Sequence, residues 1–504
     1  MMIREVLRGC DYAEEAPGAE ALMNTDVSGI AYDSRNVKEG YLFVAIKGEK
    51  YDGHDFIGDA VGKGAVAAVT ERASDGIGGG GILVRDGRKA LACIANNFYG
   101  RPSESLTLIG ITGTNGKTTT TYLLKSVLEA WEKNVGLIGT IRYMIRDEIY
   151  PAPHTTPESP EFQSLLRQML LSGCSHVITE VSSHALAQSR VDAAVFRTAI
   201  FTNLTRDHLD FHKTMEGYFR AKERLFLELL DAAGTAVINL DDLYGERLVS
   251  ELRGARPGLN ILTYGLNPGS DIIARDIDVS FQGLRFALSF RGSSYPVSSV
   301  LTGMPNVYNI MSAVGAAVSL GIPWQTILKG VEATENIAGR FENVDAGQKF
   351  LCIIDYAHTE DALSRLISSA RGIISTSAGH PSPRIITVFG CGGDRDRGKR
   401  PRMGEIATSF SDYVIITSDN PRSEDPLDII RDIAAGTTTD DYLVEPDRRE
   451  AIRKAVAMAK DGDIILIAGK GHEDYQEIKG VRHPFRDRDV AAEAIKIRMQ
   501  NRDE

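Results

Sequence analysis

The sequence lacks long apolar runs and an excess of positive charge, and each lack excludes a class of protein. No apolar stretch approaches the ~20 residues that cross a bilayer, so no membrane-spanning helix is expected. Aspartate and glutamate number 68 against 57 lysines and arginines, giving a formal net charge of −11. Such a chain has no general attraction to nucleic acid or to anionic membranes. We therefore expect neither partner, although a local basic pocket for a small phosphorylated substrate remains compatible with this charge.

Cysteine is also scarce, and its spacing excludes the usual cysteine frameworks. The five cysteines are scattered and never occur as C-x-x-C: Cys10, Cys93, Cys174, Cys352 and Cys391. This pattern disfavours both a zinc site and a disulfide framework, and it favours a reducing compartment. The first residues carry no apolar stretch of the signal-peptide kind. The expected location is the cytoplasm.

What is present is typical of a globular chain of several domains. The 504 residues are 43% hydrophobic and 25% charged, and at ~150 residues per domain they suggest about three domains. Short apolar strand patterns alternate with helical patterns from LTLIGIT onwards, which predicts an α/β fold with mostly parallel sheets. Breaks at RPSES (101–105) and ATENIAGRFEN (333–343) divide the chain. The predicted domains are 1–103, 104–337 and 338–504.

The most specific local pattern is a glycine-rich loop between a predicted strand and a predicted helix. Glycines let backbone N–H groups face phosphate oxygens, and a helix N-terminus adds partial positive charge. Lys117 would reach the β- and γ-phosphates, and the Thr118 hydroxyl would bind Mg²⁺. Ile111 stands where the longer phosphate-loop pattern has its first glycine, so an ordinary strand-to-helix turn stays open as the alternative. The predicted ATP-binding loop comprises Gly113, Thr114, Asn115, Gly116, Lys117, Thr118 and Thr119.

Acidic residues and a histidine follow two further predicted strands. Glu180 ends the strand in HVITEVSS, and Asp207, His208 and Asp210 follow the strand in AIFTNLTRDHLDFH. Side chains at the carboxyl ends of parallel strands reach a ligand crevice, and carboxylates suit Mg²⁺. Taken alone, His208 is more typical of a packed or capping histidine, and Lys222 in GYFRAKERLF is more typical of a solvated helical lysine. Beside a phosphate loop and a second carboxylate at a strand end, the metal-ligand interpretation of His208 is favoured.

Ten short motifs place the sequence beside a known family. They are TGTNGKTT, EVSSHAL, TNLTRDHLDFH, YFRAKERLF, NVYNIMSAV, GRFE, DYAHTED, GCGGDRDRGKRP, SDNPRSEDP and AGKGHE. In this order they resemble the Mur ligases, the ATP-dependent amide-bond ligases that build the bacterial cell-wall peptide. The resemblance implies an N-terminal UDP-binding domain, a central phosphate-loop ATPase domain and a C-terminal Rossmann-like domain. It also implies a monomer.

The implied reaction adds meso-diaminopimelate to UDP-N-acetylmuramoyl-L-alanyl-D-glutamate (UDP-MurNAc-L-Ala-D-Glu) through an acyl phosphate, releasing ADP and phosphate. By resemblance, Lys117 is catalytic, and two Mg²⁺ ions would be held by Thr118, Glu180, His208 and Lys222. Lys222 would first react with CO₂ to form a carbamate, which requires a neutral amine and hence a lowered pKa. Further ATP contacts would come from Asn306, Arg340 and Asp355. The nucleotide–sugar–dipeptide would contact Tyr32, Ser34, Glu49, Lys50, Tyr51, His154, Thr155, Thr156, Ser182, Gln188 and Arg190.

The motif DNPR bears on which amino acid is added. In the family it accompanies diaminopimelate, while lysine-adding members lack its arginine. Diaminopimelate carries a second carboxylate, which a guanidinium binds in a bidentate manner, whereas the lysine ammonium would be repelled. The predicted contacts are Arg395, Asp419, Asn420, Pro421, Arg422, Gly469 and Glu473. By itself, DNPR is equally compatible with a turn that enters a helix.

Two kinds of alternative remain open from the sequence. Folylpolyglutamate synthetases and MurF-type ligases share the fold, but DSR (33–35) and DNPR argue against both. A nucleotide-dependent switch, in which hydrolysis drives a conformational change and no bond is made, belongs to another class. Phosphate release that depends on an amino acid would separate a ligase from a switch.

Overall fold

Three large sheets follow one another along the chain in this computed structural model, which describes residues 1–13, 19–48, 51–72, 81–280, 282–376 and 383–503. Within those ranges the sheets have four, eleven and six strands, and a separate two-stranded hairpin lies near the C-terminus. Most neighbouring strands are parallel and helices connect them, so the predicted α/β class is confirmed. The predicted boundaries at 103/104 and 337/338 fall between sheets and stay predictions.

The first sheet is parallel throughout, in the order β1-β2-β3-β4. Its elements are α1 (Ile3–Val6), α2 (Ala19–Met23), β1 (Gly29–Ala31), β2 (Tyr41–Val44), α3 (Ile57–Gly62), β3 (Ala67–Thr70), β4 (Gly81–Leu83) and α4 (Gly87–Phe98). Asp86 begins α4 by accepting hydrogen bonds from two backbone N–H groups of its first turn. Short 3₁₀ helices cover Ser34–Asn36, Gly53–Phe56 and Pro102–Glu104.

The second sheet has the order β15-β14-β13-β12-β11-β10-β5-β9-β6-β7-β8, parallel from β13 to β6 and antiparallel at both ends. Its strands are β5 (Thr107–Thr112), β6 (Val135–Ile138), β7 (Tyr143–Ile145), β8 (Glu148–Tyr150), β9 (His176–Glu180), β10 (Phe196–Phe201), β11 (Leu230–Asn239), β12 (Asn260–Gly265), β13 (Ile272–Ser280), β14 (Gly283–Phe290) and β15 (Ser293–Ser299). Its helices are α5 (Lys117–Ala130), α6 (Ser159–Leu171), α7 (Ser183–Ala187), α8 (Leu209–His212), α9 (Met215–Arg224), α10 (Leu243–Ala255), α11 (Met304–Ser319) and α12 (Trp324–Glu332). A π-helical turn, Leu225–Leu229, continues α9.

The third sheet has the order β16-β17-β21-β18-β19-β20 and is parallel except at β16. Its strands are β16 (Glu342–Asn343), β17 (Leu351–Asp355), β18 (Ile385–Phe389), β19 (Tyr413–Ile416), β20 (Tyr442–Val444) and β21 (Ile464–Ala468). The hairpin consists of β22 (Tyr475–Ile478) and β23 (Val481–Pro484), and the helices are α13 (Glu360–Thr376), α14 (Lys399–Phe410), α15 (Pro426–Ala434), α16 (Arg448–Met458) and α17 (Asp487–Asp503).

The central strands place the candidate residues at one edge of the second sheet. The apolar residues of β5 and β9 are fully buried, as expected for parallel strands covered on both faces. β5 lies between β10 and β9, so the loops that follow all three strands meet at their carboxyl ends. This edge receives the glycine-rich loop, Glu180 and the segment that carries His208.

The structure corrects the prediction for the cysteines. Cys10 and Cys93 form a disulfide with Cα atoms 5.8 Å apart, although 83 residues separate them in sequence. They meet because α1 packs on α4, a contact that their spacing does not reveal. The other three cysteines are buried thiols. No helix in the described part of the chain is long and apolar enough to cross a membrane.

Candidate active site

The glycine-rich loop joins β5 to α5, as predicted. Gly113 and Gly116 have φ of 147° and 87°, a region that L side chains rarely adopt. A Cβ atom on Gly113 would overlap the hydroxyl of Thr202, and one on Gly116 would overlap the side-chain oxygen of Asn309. Both glycines are therefore required by backbone conformation and by space. α5 begins directly after Gly116, which gives the loop the geometry of an anion site.

Two lysine ammonium groups meet at this loop. Lys117 Nζ donates to the carbonyl oxygens of Gly113 (2.9 Å) and Thr114 (2.8 Å), and Lys222 Nζ donates to Gly113 O at 2.8 Å. Burial lowers the pKa of Lys117, and burial together with the nearby Lys117 charge lowers that of Lys222 well below its ordinary value. Among the described residues no carboxylate forms an ion pair with either ammonium. Two buried ammonium groups at one loop would be stabilised by a bound anion. In the absence of an anion, their surroundings favour the neutral amine form of Lys222.

Glu180 brings oxygen atoms to the same edge. Its carboxylate is fully buried and accepts hydrogen bonds from the Thr118 hydroxyl at 3.0 Å and from the Thr140 hydroxyl and N–H at 2.9 Å each. Arg340 reaches the Thr118 hydroxyl at 3.3 Å from the third region of the chain. A carboxylate and a hydroxyl in contact are the hard oxygen donors that Mg²⁺ prefers. The donor set at Thr118 and Glu180 thus fits one such ion.

His208 lies at the N-terminus of α8 with a left-handed φ of 53°. Its Nε2 atom is 3.5 Å from an Asp207 carboxylate oxygen, and its ring packs edge-on against His184. Burial lowers the pKa of His208 to about 4, with Asp207 opposing that shift and Lys222 adding to it. The lowered pKa favours the neutral ring, the form in which a histidine binds metal.

A second ion would need a further anionic ligand. Among the described residues, no three histidine, cysteine, aspartate or glutamate side chains converge as a metal site. Carbamylation of Lys222 would add a carboxylate at the loop. The two-ion arrangement predicted from the sequence thus depends on that modification.

A cavity of 490 Å³ opens beside the glycine-rich loop. Six predicted ATP contacts line it: Asn115, Gly116, Thr119, Asn306, Arg340 and Asp355. Burial raises the pKa of Asp355, while the nearby Arg340 lowers it. Asp355 also accepts a hydrogen bond from the Phe341 N–H at 2.7 Å, so it fixes the chain next to Arg340. The volume and the mixed polar lining suit a nucleotide.

Sequence reasoning missed several residues of this cavity. Asn203, Asn239, Asp241, Tyr308 and Asn309 also line it. Tyr308 donates to Asp241 at 2.9 Å, and the Asn309 amide donates to the Asn306 side-chain oxygen at 2.9 Å. Asn203 and Asn239 lie at strand ends, so the rule that identified Glu180 would have identified both of them. Asn309 lies within the motif NVYNIMSAV, but only the fold brings it against Gly116.

Three of the residues predicted for the sugar and peptide, Thr155, Thr156 and Ser182, lie near Glu180. The Thr156 hydroxyl donates to Glu180 O at 2.8 Å and contacts the Ser182 hydroxyl, and the Thr155 hydroxyl lies 3.1 Å from that of Thr140. His154 is exposed, and its carbonyl oxygen accepts a hydrogen bond from Tyr143. These contacts place the TTP segment beside the candidate metal ligand.

Arg190 connects this segment to a carboxylate. It donates to Thr156 O at 3.0 Å and to the Gln188 side chain, and its Nε atom lies 3.0 Å from Glu158. Arg88, on α4 of the first region, lies 3.4 Å from the same carboxylate. Glu158 therefore links Arg190 to the first region of the chain.

The substrate contacts predicted in the N-terminal region do not converge on one point as the residues around Glu180 do. Ser34 is buried, Tyr51 is 73% exposed, and the Tyr32 hydroxyl donates to Glu161 on α6 at 3.2 Å. Glu49 and Lys50 lie outside the described residues. Tyr32 thus faces a carboxylate of the second region.

The predicted amino-acid contacts converge at the carboxyl edge of the third sheet. Asn420 donates to Glu473 at 2.8 Å, and a Cβ on Gly469 would overlap the Asp419 carboxylate. Arg422 has a φ of 51° and donates to Gly393 O at 2.7 Å, so its guanidinium is held by the preceding loop. The carbonyl group of Pro421 lies against Gly393 of that loop. Arg395, two residues further along the loop, is exposed.

Comparison with known proteins identifies relatives over nearly the whole chain. Three family models match successive parts: "Mur ligase family, catalytic domain" at residues 26–99, "Mur ligase middle domain" at 111–317 and "Mur ligase, glutamate ligase domain" at 339–471. A UDP-N-acetylmuramoyl-L-alanyl-D-glutamate–2,6-diaminopimelate ligase from Solibacter usitatus is 48% identical over 488 residues, covering 95% of this chain and 96% of that protein. The ligase of the same name from Aquifex aeolicus is 46% identical over 472 residues, covering 93% and 94%.

Solved structures agree with these matches. One described as a UDP-N-acetylmuramoyl-L-alanyl-D-glutamate–2,6-diaminopimelate ligase aligns with a TM-score of 0.71 and 33% identity, covering 99% of both chains. A MurF ligase from Thermotoga maritima in complex with ADP aligns with a TM-score of 0.61 and 20% identity, covering 95% of this chain and 99% of that one. At that identity the second similarity supports the fold alone.

Proposed function

The chain belongs to the Mur ligase family, and on that premise we propose that it is the ATP-dependent ligase that adds 2,6-diaminopimelate to UDP-MurNAc-L-Ala-D-Glu in peptidoglycan synthesis. The family resemblance read from the ten motifs is confirmed. The observation that carries the assignment is the full-length similarity to ligases of that name, joined to a phosphate loop in the second region and a DNPR loop in the third.

The reaction begins at the phosphate loop. The γ-carboxylate of the D-Glu residue attacks the γ-phosphorus of ATP, so a carboxyl oxygen–phosphorus bond forms and the bond to ADP breaks. Lys117 supports this step, because its ammonium, now on two loop carbonyls, can turn to the β- and γ-phosphates. The amine of diaminopimelate then attacks the acyl carbon, and the tetrahedral intermediate expels phosphate. Positioning and charge stabilisation supply most of the rate.

Mg²⁺ fits the hydroxyl and carboxylate of Thr118 and Glu180, and when bound it supplies positive charge to the phosphate oxygens. A second ion is proposed at Glu180, His208 and a carbamylated Lys222. Burial of Lys222 and the nearby Lys117 charge support this modification, since both favour the neutral amine that attacks CO₂.

We assign the choice of the meso isomer over L-lysine to Arg422. Its guanidinium donates to Gly393 O, and Asn420, two residues earlier in the same loop, donates to Glu473. In this proposal the distal carboxylate of diaminopimelate meets Arg422, while a carboxylate such as Glu473 faces the ammonium. Lysine would instead bring a positive charge to Arg422.

We further propose that the enzyme is a monomer of three domains, 1–103, 104–337 and 338–504, and acts in the cytoplasm. Its reaction consumes ATP and small-molecule substrates, which supports that location. Light scattering after gel filtration tests the monomer: an intact mass near 54.9 kDa agrees with it, and twice that mass refutes it.

Release of ADP and phosphate tests the function directly. The assay contains UDP-MurNAc-L-Ala-D-Glu, ATP and Mg²⁺, with meso-diaminopimelate in one arm and L-lysine in the other. We expect turnover with diaminopimelate alone. Turnover with lysine would support the ligase reaction but refute the role of Arg422. Phosphate release at the same rate with and without either amino acid would favour a nucleotide-dependent switch.

A further inference from the structure

A fully buried lysine lies behind the residues proposed to bind the amino acid. Lys470 follows β21, and its side chain has no exposed surface. Its ammonium donates to the Asn420 side-chain oxygen at 3.0 Å and to Glu473 Oε2 at 3.0 Å. A charged group is rarely buried unless it is paired and hydrogen-bonded, and here both partners belong to the candidate binding site.

The three side chains form a closed triangle. The Asn420 amide nitrogen donates to the same Glu473 oxygen at 2.8 Å, and the Asn420 oxygen also accepts the Glu477 N–H at 2.9 Å. The triangle thus joins the DNPR loop, the loop after β21 and the hairpin of β22 and β23. Each member holds the other two in one orientation.

The triangle leaves one ligand position open. Within the described residues, Glu473 Oε2 accepts both hydrogen bonds, and Oε1 accepts none. The Glu473 side chain is 18% exposed, so Oε1 can receive an ammonium from the amino acid. Lys470 donates to Glu473 Oε2, and this hydrogen bond leaves Oε1 as the oxygen that can accept from a ligand.

A second buried cation beneath these loops behaves differently. Arg448 is paired with Asp487, with two contacts of 2.7 Å, and donates to the carbonyl oxygens of Ser418 and Ala468. It therefore supports the backbone at the ends of β19 and β21, and no hydrogen bond joins it to Asn420 or Glu473 among the described residues. The contrast assigns backbone support to Arg448 and side-chain orientation to Lys470.

We propose that Lys470 is a positioning residue that sets the affinity of the site for the incoming amino acid. The inference rests on the proposed function, because it takes Glu473 and Asn420 as amino-acid ligands. Without the ammonium, Glu473 Oε2 keeps only the Asn420 amide as a donor, and the Asn420 oxygen keeps only the Glu477 N–H. With one donor fewer each, both side chains can rotate away from the binding orientation.

Steady-state kinetics of Lys470→Met test the proposal, with each substrate varied in turn. We expect KM for meso-diaminopimelate to rise by at least ~10-fold, with KM for ATP and for UDP-MurNAc-L-Ala-D-Glu within ~2-fold of wild type. Lys496→Met is the matched control, because this lysine is exposed on α17 of the same region, and it should change nothing. An unchanged KM for diaminopimelate, or an equal rise in all three, would overturn the proposal.

A double-mutant cycle with Glu473→Gln separates positioning from loss of fold. If Lys470 acts through Glu473, Lys470→Met should cost much less in the Glu473→Gln background than in wild type. Full additivity would refute the coupling. If Lys470→Met does not fold, Lys470→Gln replaces it, since its amide keeps donors without the charge and should raise the same KM less. If the wild-type enzyme shows no turnover with diaminopimelate, the proposed function is refuted. If the wild type is active and Lys470→Met has the same KM for diaminopimelate, only this inference is refuted.

Discussion

At the scale of single residues, the candidate site depends on positive charges that form no ion pair with a carboxylate of the described residues. Lys117 and Lys222 share the carbonyl oxygen of Gly113; burial lowers the pKa of both, and the Lys117 charge lowers that of Lys222 further. Such an arrangement costs stability in the free protein, and a bound polyphosphate would relieve it. Groups with perturbed pKa values gather at functional sites for this reason.

Replacing Lys117 by alanine separates catalysis from stability. We expect kcat to fall by about 10³-fold or more, because the ammonium stabilises charge on the transferring phosphate. The thermal midpoint should stay equal or rise, since the change removes a buried cation that no carboxylate neutralises. Lys125→Ala on the same helix is the control, because within the described residues the ion pair of Lys125 is with Glu129, one turn away. A kcat near that of wild type would exclude the assigned role.

At the scale of elements, the sequence predicted the features that local patterns determine, and it did not predict contacts between distant positions. The strand LTLIGIT, the loop and α5 follow from an apolar run, two glycines and helical periodicity, all within a short stretch of sequence. The contact of Lys470 with Asn420 joins positions 50 residues apart, and the Cys10–Cys93 disulfide joins positions 83 apart. No local pattern encodes these, because they depend on which loops the sheet order brings together. The motifs supplied Asn420 and Glu473 through family resemblance, and Lys470 required the structure.

The first turns of α16 and α17 are joined by the buried ion pair of Arg448 and Asp487. Both side chains are fully buried, so Arg448→Met would leave a buried carboxylate without a partner. We expect a loss of about 3–5 kcal/mol in the free energy of unfolding of this region. The double variant Arg448→Met/Asp487→Leu should recover much of that loss, because neither charge then remains. Urea unfolding followed by fluorescence checks this, and a single variant no less stable than the double one would contradict it.

At the scale of the whole molecule, side chains from all three regions contact the site in the second. Arg340 reaches Thr118 from the third region, and Tyr32 and Arg88 reach α6 and Glu158 from the first. These contacts connect the residues proposed to bind the nucleotide–sugar, and the phosphate loop, to neighbouring regions of the chain. A ligase with three substrates needs this convergence, because each region would bring one substrate to the reacting carboxylate.

The Arg88–Glu158–Arg190 contact offers a test of that convergence. In Arg88→Ala, Glu158 keeps only Arg190, and the link between α4 and the peptide-binding segment is lost. We expect KM for UDP-MurNAc-L-Ala-D-Glu to rise about 3- to 10-fold, while KM for ATP stays unchanged because the phosphate loop is untouched. Lys89→Ala, exposed at the next position of the same helix, should leave both values as in wild type. If Arg88→Ala raised KM for ATP as much as KM for the nucleotide–sugar, the contact would be a general support of the fold. It would then have no specific role in holding that substrate between the first and second regions.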